Sequence, residues 1–557
     1  MPRLVECVPN FSEGRSRLVI DAIAQAISSV PSVKLLDVDP GADTNRTVYT
    51  FVGEPNAVQD AAVRAAHAAS EHIDMRQHQG AHPRIGAMDV CPFVPVAEVT
   101  MEECVAMARA VGQRIGDELQ VPVYFYEYAA SSTARHSLAD IRAGEYEGLE
   151  HKLRDPAWQP DCGPARFDAR FGAAVVGARD FLLAYNVNLN TRDRRLAHEI
   201  ALTVREAGRA KRDAAGHIVR GPDGQAARVP GRLPRVRAIG WYIEEYRQAQ
   251  VSINLLDYKT TPLHVVFEVV CEEAAKLGIR VTGSELVGMT PREPLVEAGR
   301  YYLRRQGKST GVAMADVVEM AVRSLGLDQI APFDASKKII EAYFEPEAPL
   351  LRLTVQRFID EVASETPAPG GGSVAALAGS LGAALAALVA NVTVGRPGFE
   401  EASAALSAEA ERAQALKARL ATLVDEDTRA FSDVVAARRL PKGTPADDSA
   451  RAAAIESALQ RAAAVPRETM RLCVDALRVA LAVVEQGNPN AASDAGVAGL
   501  MARAGAAAAA LNVLINLGSI QDEAFTRACR DEVAEVRAEA ARLAEALAQA
   551  VDERGVA

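Results

Sequence analysis

VKLLDVDPGADTNRTVYTFVG (residues 33–53) decides the fold of the first half of the chain. The runs 33–40 and 46–53 are rich in Val, Thr, Tyr and Phe and read as strands, while Gly41, Asp43 and Asn45 supply the turn between them. Outward from this hairpin lie amphipathic helical stretches at about 15–30, 55–72 and 101–119. Strand-like runs flank them: LVECVPN (4–10), DVCPFVPV (89–96) and VPVYFYEY (121–128). The order is β-α-β-β-α-β, followed by a further helix and strand. A second copy of that order begins near Phe181, with strands at 181–189, 235–245, 250–258 and 279–288. Helices to about Gly208 and at 262–277, and another after the last strand, complete it. Two such units predict a duplicated ferredoxin-like α/β (α+β) half, with a cleft between similar units as the place for a ligand. The polar, Gly- and Pro-rich run 211–234 reads as a surface excursion, a hairpin.

The composition changes near residue 350. From 351 to 557 there are 56 Ala, four Phe and no Tyr, Trp or His, and all nine His lie at or before His264. That stock predicts an all-α domain. The expected boundaries are 1–180 and 181–335 for the α/β subdomains, 336–352 for a linker and 353–557 for the helical domain. A length of 557 residues accommodates them, at about three or four domains. A net charge of −11 argues against a nucleic-acid partner. Seven scattered cysteines without a CxxC pair argue against a disulfide framework or structural zinc and fit a reducing cytoplasm, as does a start without a secretory signal. The uncharged stretch 374–395 is mostly Ala and Gly and reads as a tightly packed helix rather than a membrane span.

Seven stretches could carry chemistry. HQGAHPRIGAMDVCPFVP (78–95) places His78, His82, Arg84 and Asp89 between a helix and a strand. It reads as a general-base His on a loop fixed by Gly and Pro, as a solvent-facing loop, or as a metal pair that lacks a third ligand. Asp37 and Asp39 point the same way on their strand, as partners for a His or a cationic substrate or as part of a bland turn. DCGPARFDARFGAAVVGARDF (161–181) could cradle a flat anionic ligand or form an interdomain turn. In the helical domain Gly370, Gly371, Gly372 and Ser373 precede or open a helix, for anion binding or for close packing. In TLVDEDTRAF (422–431), Asp425 sits four before Arg429, a solvent-face ion pair, whereas Asp427 shares its face with Val424 and Phe431. Apolar burial would raise the Asp427 pKa into a usable range. GNPNAASDAGVA (487–498) supplies Asn490 and Asp494, and RLPKGTP (439–445) supplies Lys442. With no His in this domain, proton transfer falls to carboxylates or lysines.

LVECVPNFSEG, LLDVDPGADTNRTVYTFVG, HQGAHPRIGAMDVCPFVPV and IRAGEYEGL resemble glutamate formimidoyltransferase. PAPGGGSVAA, TLVDEDTRAF, RLPKGTP, GNPNAASD and LNVLINLGSIQDEAF resemble formimidoyltetrahydrofolate cyclodeaminase. The resemblance, to the bifunctional formimidoyltransferase-cyclodeaminase family, runs in order over nearly the whole chain. It implies transfer of the formimino group from N-formimino-L-glutamate to tetrahydrofolate, late in histidine degradation, then ring closure to 5,10-methenyltetrahydrofolate with loss of ammonia. It also implies tetrahydrofolate as co-substrate, in polyglutamylated form as well, no metal, and a homo-octamer acting in the cytoplasm away from nucleic acid and membranes. Residue by residue, the transferase catalytic histidine falls on His82. The folate-binding segment falls on Gly163, Pro164, Ala165, Arg166, Phe167, Asp168, Ala169, Arg170, Phe171 and Gly172. The deaminase carboxylate falls on Asp427. Asp39 is then expected to hold the cationic formimino group and Arg84 the glutamate carboxylates, with Gly370–Ser373, Lys442, Asn490 and Asp494 as further binding positions. The 211–234 excursion is longer than in the animal enzymes. The helical domain is also similar to methenyltetrahydrofolate cyclohydrolases, so a cyclohydrolase-like or assembly role for it stands as the alternative.

Overall fold

The computed structural model describes residues 3–42, 44–80, 83–221, 224–345 and 347–556. The chain divides into two compact units, Met1–Pro294 with Leu325–Phe344, and Leu295–Ser324 with Glu345–Ala557.

The first unit opens with β1 (Leu4–Cys7), β2 (Asn10–Phe11), α1 (Arg17–Ser28), β3 (Val33–Gly41), β4 (Arg46–Gly53), α2 (Pro55–His72), β5 (Met88–Ala97), α3 (Met101–Leu119) and β6 (Val123–Glu127). Two short helices, α4 (Leu138–Arg142) and α5 (Glu145–Lys152), and β7 (Ala174–Ala178) follow. β3 pairs with β4, β4 with the β1/β2 strand, and that strand with β5, all antiparallel. Val5, Cys7, Phe11, Tyr49, Phe51 and Phe93 form one core with the inner faces of α1, α2 and α3. α1 buries Val19, Ile20, Ile23 and Ile27, the spacing of one helical stripe. β7 is an addition to the expected pattern: it lies parallel between β5 and β6. Its five residues are all buried, so it lacks the alternation that betrays a half-exposed strand.

The duplication is present in the topology. β8 (Leu183–Leu189), α6 (Arg194–Val204), β9 (Arg209–Ala210), β10 (Arg228–Val229), β11 (Val236–Ile243), β12 (Gln248–Leu255), α7 (Leu263–Lys276) and β13 (Val281–Val287) follow in order. The second sheet runs β11-β12-β8-β13, which repeats β3-β4-β1/β2-β5 strand for strand. The 211–234 excursion carries hairpin pairing, β9 with β10 and the bridges Arg212–Ile218 and Arg220–Ala226.

The remaining elements are helical: α8 (Arg292–Arg305), α9 (Met314–Leu325), α10 (Ala335–Lys338), α11 (Val355–Val362), α12 (Gly371–Asn391), α13 (Ser403–Arg438), α14 (Pro445–Gln486), α15 (Ala492–Leu517) and α16 (Glu523–Val551). Residues 295–324, which the sequence reading kept with the second α/β domain, pack inside the helical unit. The small residues at 309–311 allow this. A Cβ on Gly311 would fall 2.2 Å from that of Ala410, and the Gly311 carbonyl accepts from Asn391 Nδ2 at 2.9 Å and Gln414 Nε2 at 3.2 Å.

α12 and the segment Pro489–Leu517 are each long and apolar enough to cross a membrane, but 61% of the α12 window is buried inside the protein. α12 lies antiparallel to α15, with Gly371 beside Asn512, Gly379 beside Gly505 and Gly382 beside Ala498 and Ala502. The Ala-rich composition is what permits this approach. Left outside are Val374, Leu381 and Leu388 on α12 and Val497, Leu500, Leu511 and Ile515 on α15, all exposed. Their spacing of three, four and seven is that of a helix–helix seam.

At the crowded point a Cβ on Gly505 would fall 2.9 Å from the Ala375 carbonyl and from Cys473 Sγ. Gly505→Val should therefore cost about 2–3 kcal/mol of stability in the helical unit. Gly496→Ala in the same helix, where a Cβ meets nothing nearer than 3.5 Å, should be neutral or stabilising. Urea unfolding followed by circular dichroism distinguishes the two.

Candidate active sites

Asn45 organises the first site. It takes a left-handed backbone (φ 48°), its Oδ1 accepts from the Gly14 N–H at 3.0 Å, and its Nδ2 donates to the Gln79 carbonyl at 3.0 Å. Its own carbonyl meets His78 Nε2 at 2.8 Å. Arg84 Nε donates to His78 Nδ1 at 3.2 Å, so the His78 proton sits on Nε2 and neither ring nitrogen is free to act as a base. Burial pushes the His78 imidazole below its ordinary range and the Arg84 charge adds to this, against the Asn45 carbonyl.

Arg84 is buried, and its fork is filled by Glu147 at 2.8 and 2.6 Å and by Glu145 at 3.1 Å. The expected clasp on a substrate carboxylate is therefore not what this geometry offers. Arg84 instead ties the loop to α5, and the Tyr146 N–H donates to its carbonyl at 2.9 Å. His78, Gln79, Gly80, Arg84, Gly144, Glu145 and Glu147 line a cavity of about 500 Å³. His82 lies outside the described residues. Beyond it, Asp89 is fully buried, accepts from the Ile85 N–H at 3.0 Å and pairs with Arg142. Asp39 is exposed on the edge strand β3, where its charge and that of Asp89 both act on Arg46.

The segment 163–172 is stitched to this loop. The Ala87 N–H donates to the Phe171 carbonyl at 2.7 Å, the Ala173 N–H to the Ile85 carbonyl at 3.2 Å and the Met75 N–H to the Arg170 carbonyl at 2.9 Å. Tyr146 packs on Phe167 at 5.5 Å between ring centres and donates its hydroxyl to the Ala169 carbonyl. Within the segment Asp168 Oδ1 accepts from the N–H groups of Arg170 at 2.9 Å and Phe171 at 2.8 Å. Phe171 and Gly172 are buried, Gly163, Pro164, Phe167 and Asp168 half-buried, and Ala165, Arg166, Ala169 and Arg170 exposed.

In the helical unit, Asp427 on α13 meets the first turn of α12. A Cβ on Gly372 would fall 2.1 Å from Asp427 Oδ1, and Ser373 Oγ donates to Oδ2 at 3.3 Å. Burial raises the Asp427 carboxyl above its ordinary value, against the two Ser373 hydrogen bonds. Asp425 is a correction. It is buried rather than paired with Arg429, and accepts from the Leu350 N–H at 2.9 Å and the Leu351 N–H at 3.4 Å. Phe431 is exposed, so the companions of Asp427 are Ser373 and the glycines rather than an aromatic face.

The other expected positions lie elsewhere. Lys442 is exposed in the turn after α13, whose end at Arg438 is about 16 Å along the helix from Asp427. Asn490 and Asp494 begin α15, and the adjoining Gly487 touches Val389 and Thr393 at the far end of α12. That end is about 30 Å from Gly372. The sequence reading missed Asn45, Glu145, Glu147 and Asn512, although the motifs quoted contain all four.

The raised Asp427 carboxyl has a consequence for stability. The folded chain holds this proton to higher pH than the unfolded chain, whose value is near 3.8. The favourable contribution is thus full below the unfolded value and lost as pH rises through the folded one. Asp427→Asn should melt above the parent at pH 7, and the gap should close toward about pH 4. Equal melting temperatures at pH 7 would contradict the burial cost.

The description "Formiminotransferase domain, N-terminal subdomain" matches residues 4–179, "Formiminotransferase domain" 184–345, and "Formiminotransferase-cyclodeaminase" 354–535. The chain is 46% identical over 548 residues to the formimidoyltransferase-cyclodeaminase of Sus scrofa, covering 97% of each chain. It is 39% identical over 304 residues to the glutamate formimidoyltransferase of Streptococcus pyogenes serotype M1, covering 55% of this chain and 94% of that one. The methenyltetrahydrofolate cyclohydrolase of Methylorubrum extorquens is 40% identical over 198 residues, 36% of this chain and 95% of its own. With both α/β copies and the helical unit matched in one continuous alignment, the chain belongs to the formimidoyltransferase-cyclodeaminase family.

Proposed function

We propose that this chain is a bifunctional folate enzyme. It moves the formimino group of N-formimino-L-glutamate to the 5-nitrogen of tetrahydrofolate, releasing glutamate, and then closes the ring to 5,10-methenyltetrahydrofolate with release of ammonia. The observation that carries this reading is the 46% identity over 97% of a bifunctional relative.

In the transferase step the 5-nitrogen attacks the formimino carbon, its proton leaves, and the glutamate nitrogen gains one before departing. We assign both transfers to His82, a role worth about 10²–10⁴-fold. His78 is unsuited to it, because both its ring nitrogens are engaged. Asp39 is proposed to hold the protonated formimino group, and the 163–172 segment to cradle the folate, including its polyglutamylated forms. In the second step the 10-nitrogen attacks the same carbon. A carboxylate that burial makes more basic is suited to take the 10-nitrogen proton and pass one to the departing ammonia, and Asp427 is that group. No metal is invoked in either step.

His82→Ala should lower glutamate release by at least about 10²-fold while 5-formiminotetrahydrofolate supplied directly is still cyclised. Asp427→Ala should do the reverse. Methenyltetrahydrofolate absorbance, read beside released glutamate and ammonia, tests both. A second reading draws on the cyclohydrolase relative of the helical part: the same carboxylate would then activate water and open the methenyl ring. Glutamate without ammonia would favour it.

The assembly we propose is a homo-oligomer, an octamer as the resemblance implies. The exposed seam on α12 and α15 is one contact between copies. Antiparallel crossing there would set the Gly370–Ser373 end of one copy beside the Asn490 and Asp494 end of the other. Leu500→Asp with Ile515→Asp should reduce the assembly size in light scattering and lower cyclodeaminase activity more than transferase activity.

A further inference from the structure

Between Ala504 and Ala510 α15 is built of Ala and Gly alone, yet Asn512 and Asn516 follow before its end. Asparagine forms helices less readily than alanine, so each needs a reason to be there. Asn516 has a structural one: its Nδ2 crosses to α14 and donates to the Ala462 carbonyl at 2.8 Å. Asn512, one turn earlier, ties no other helix. Its Nδ2 donates to the Ala508 carbonyl of its own helix at 2.9 Å, and its Oδ1 accepts from no group among the described residues.

The Asn512 amide is nevertheless aimed. The bond to Ala508 fixes its plane, and the side chain lies against the first turn of α12. A Cβ on Gly371 would fall 3.4 Å from its Nδ2 and 3.6 Å from its Oδ1. On the next residue, Gly372, a Cβ would fall 2.1 Å from Asp427 Oδ1. An amide from α15 and a carboxylate from α13 therefore flank two consecutive residues of one turn, whose Cα atoms stand about 3.8 Å apart. Gly371 is exposed, so this turn opens to solvent. A Cβ on the preceding Gly370 would meet only the Pro367 carbonyl, at 3.6 Å. No protein contact asks for glycine at 370, whereas a bare backbone there admits close approach by a ligand.

We infer that Asn512 is a specificity residue of the ring closure, its Oδ1 accepting an N–H from the formimino nitrogen that departs as ammonia. The inference rests on the cyclodeaminase reading of Asp427 above. In that step the 10-nitrogen bonds to the formimino carbon, and its proton passes through Asp427 to the amino nitrogen. The bond from that nitrogen to the carbon then breaks as ammonia leaves. The departing nitrogen carries N–H groups from substrate to product, so one acceptor serves it throughout. Being already oriented, the acceptor costs no reorganisation at the moment of reaction. The same acceptor discriminates. A 5-formyl group sets a carbonyl oxygen where the formimino group has its nitrogen, and that oxygen facing Oδ1 makes two acceptors with no hydrogen between them.

In the full chain, Asn512→Ala should lower kcat/KM for supplied 5-formiminotetrahydrofolate at least about tenfold, the loss of a hydrogen bond from a cationic donor. The Ki of 5-formyltetrahydrofolate as an inhibitor of the same cyclisation should not change, and its constancy shows that the helical unit is folded. A purely structural role for Asn512 would not separate the two ligands. An unchanged kcat/KM would overturn the inference. So would a fall in kcat/KM with an equal rise in Ki, which would make Asn512 a contact of the folate body rather than of the departing nitrogen. A parent chain that formed no ammonia from 5-formiminotetrahydrofolate would remove the cyclodeaminase reading and the inference with it, an outcome recognised before any variant is made.

Discussion

The first site depends on the hydrogen bonds of one side chain and its carbonyl. Asn45 joins the stretch after β2, the β3–β4 turn and the run before His82, three segments distant in sequence. It does so from a left-handed backbone, which Asn adopts more readily than most residues. Once those segments are tied, His78 is fixed, Arg84 is drawn to it, and Glu145 and Glu147 neutralise the arginine. Each group is held by the next, so the residues that flank positions 81 and 82 belong to a frame that is already satisfied. On the strand side the buried Asp89 adds to that frame by accepting from the Ile85 N–H.

The helical unit solves a different problem with different means. Its interior mixes Leu and Val with many Ala and Gly, so helices approach closely where the small residues meet. At the start of α12 that closeness leaves room for one carboxylate and a serine hydroxyl. Burial there costs stability when the carboxylate is charged, and the same burial makes it a stronger base. Stability and the proposed proton transfer are thus opposed at Asp427, as is common where function needs a strained or desolvated group.

Much of this was legible in the sequence. The 33–53 hairpin and the repeated strand order follow from alternation and turn residues, which act locally. Asp427 stood out because helical spacing sets it on the face of Val424 and Phe431, of which Val424 is buried and Phe431 exposed. Asp425 was misread for the same reason: helical spacing pairs it with Arg429, whereas its real partners are backbone N–H groups 74 and 75 residues away. Glu145 and Glu147 were invisible as partners of Arg84 because they lie 61 and 63 residues from it. β7 was hidden by being buried on both sides. What escaped the sequence was consistently the long-range pairing, which no local periodicity records.

The opposed ends of α12 carry a genetic consequence. A lesion at the glycine-rich start leaves the Asn490 and Asp494 end untouched, and a lesion at that end leaves the start intact. Where two copies share a seam in antiparallel register, a pair built from one chain of each kind keeps one junction with both sides whole. Two inactive alleles would then complement each other in a mixed assembly, and the heritable unit of the second reaction would be the pair of chains rather than the chain.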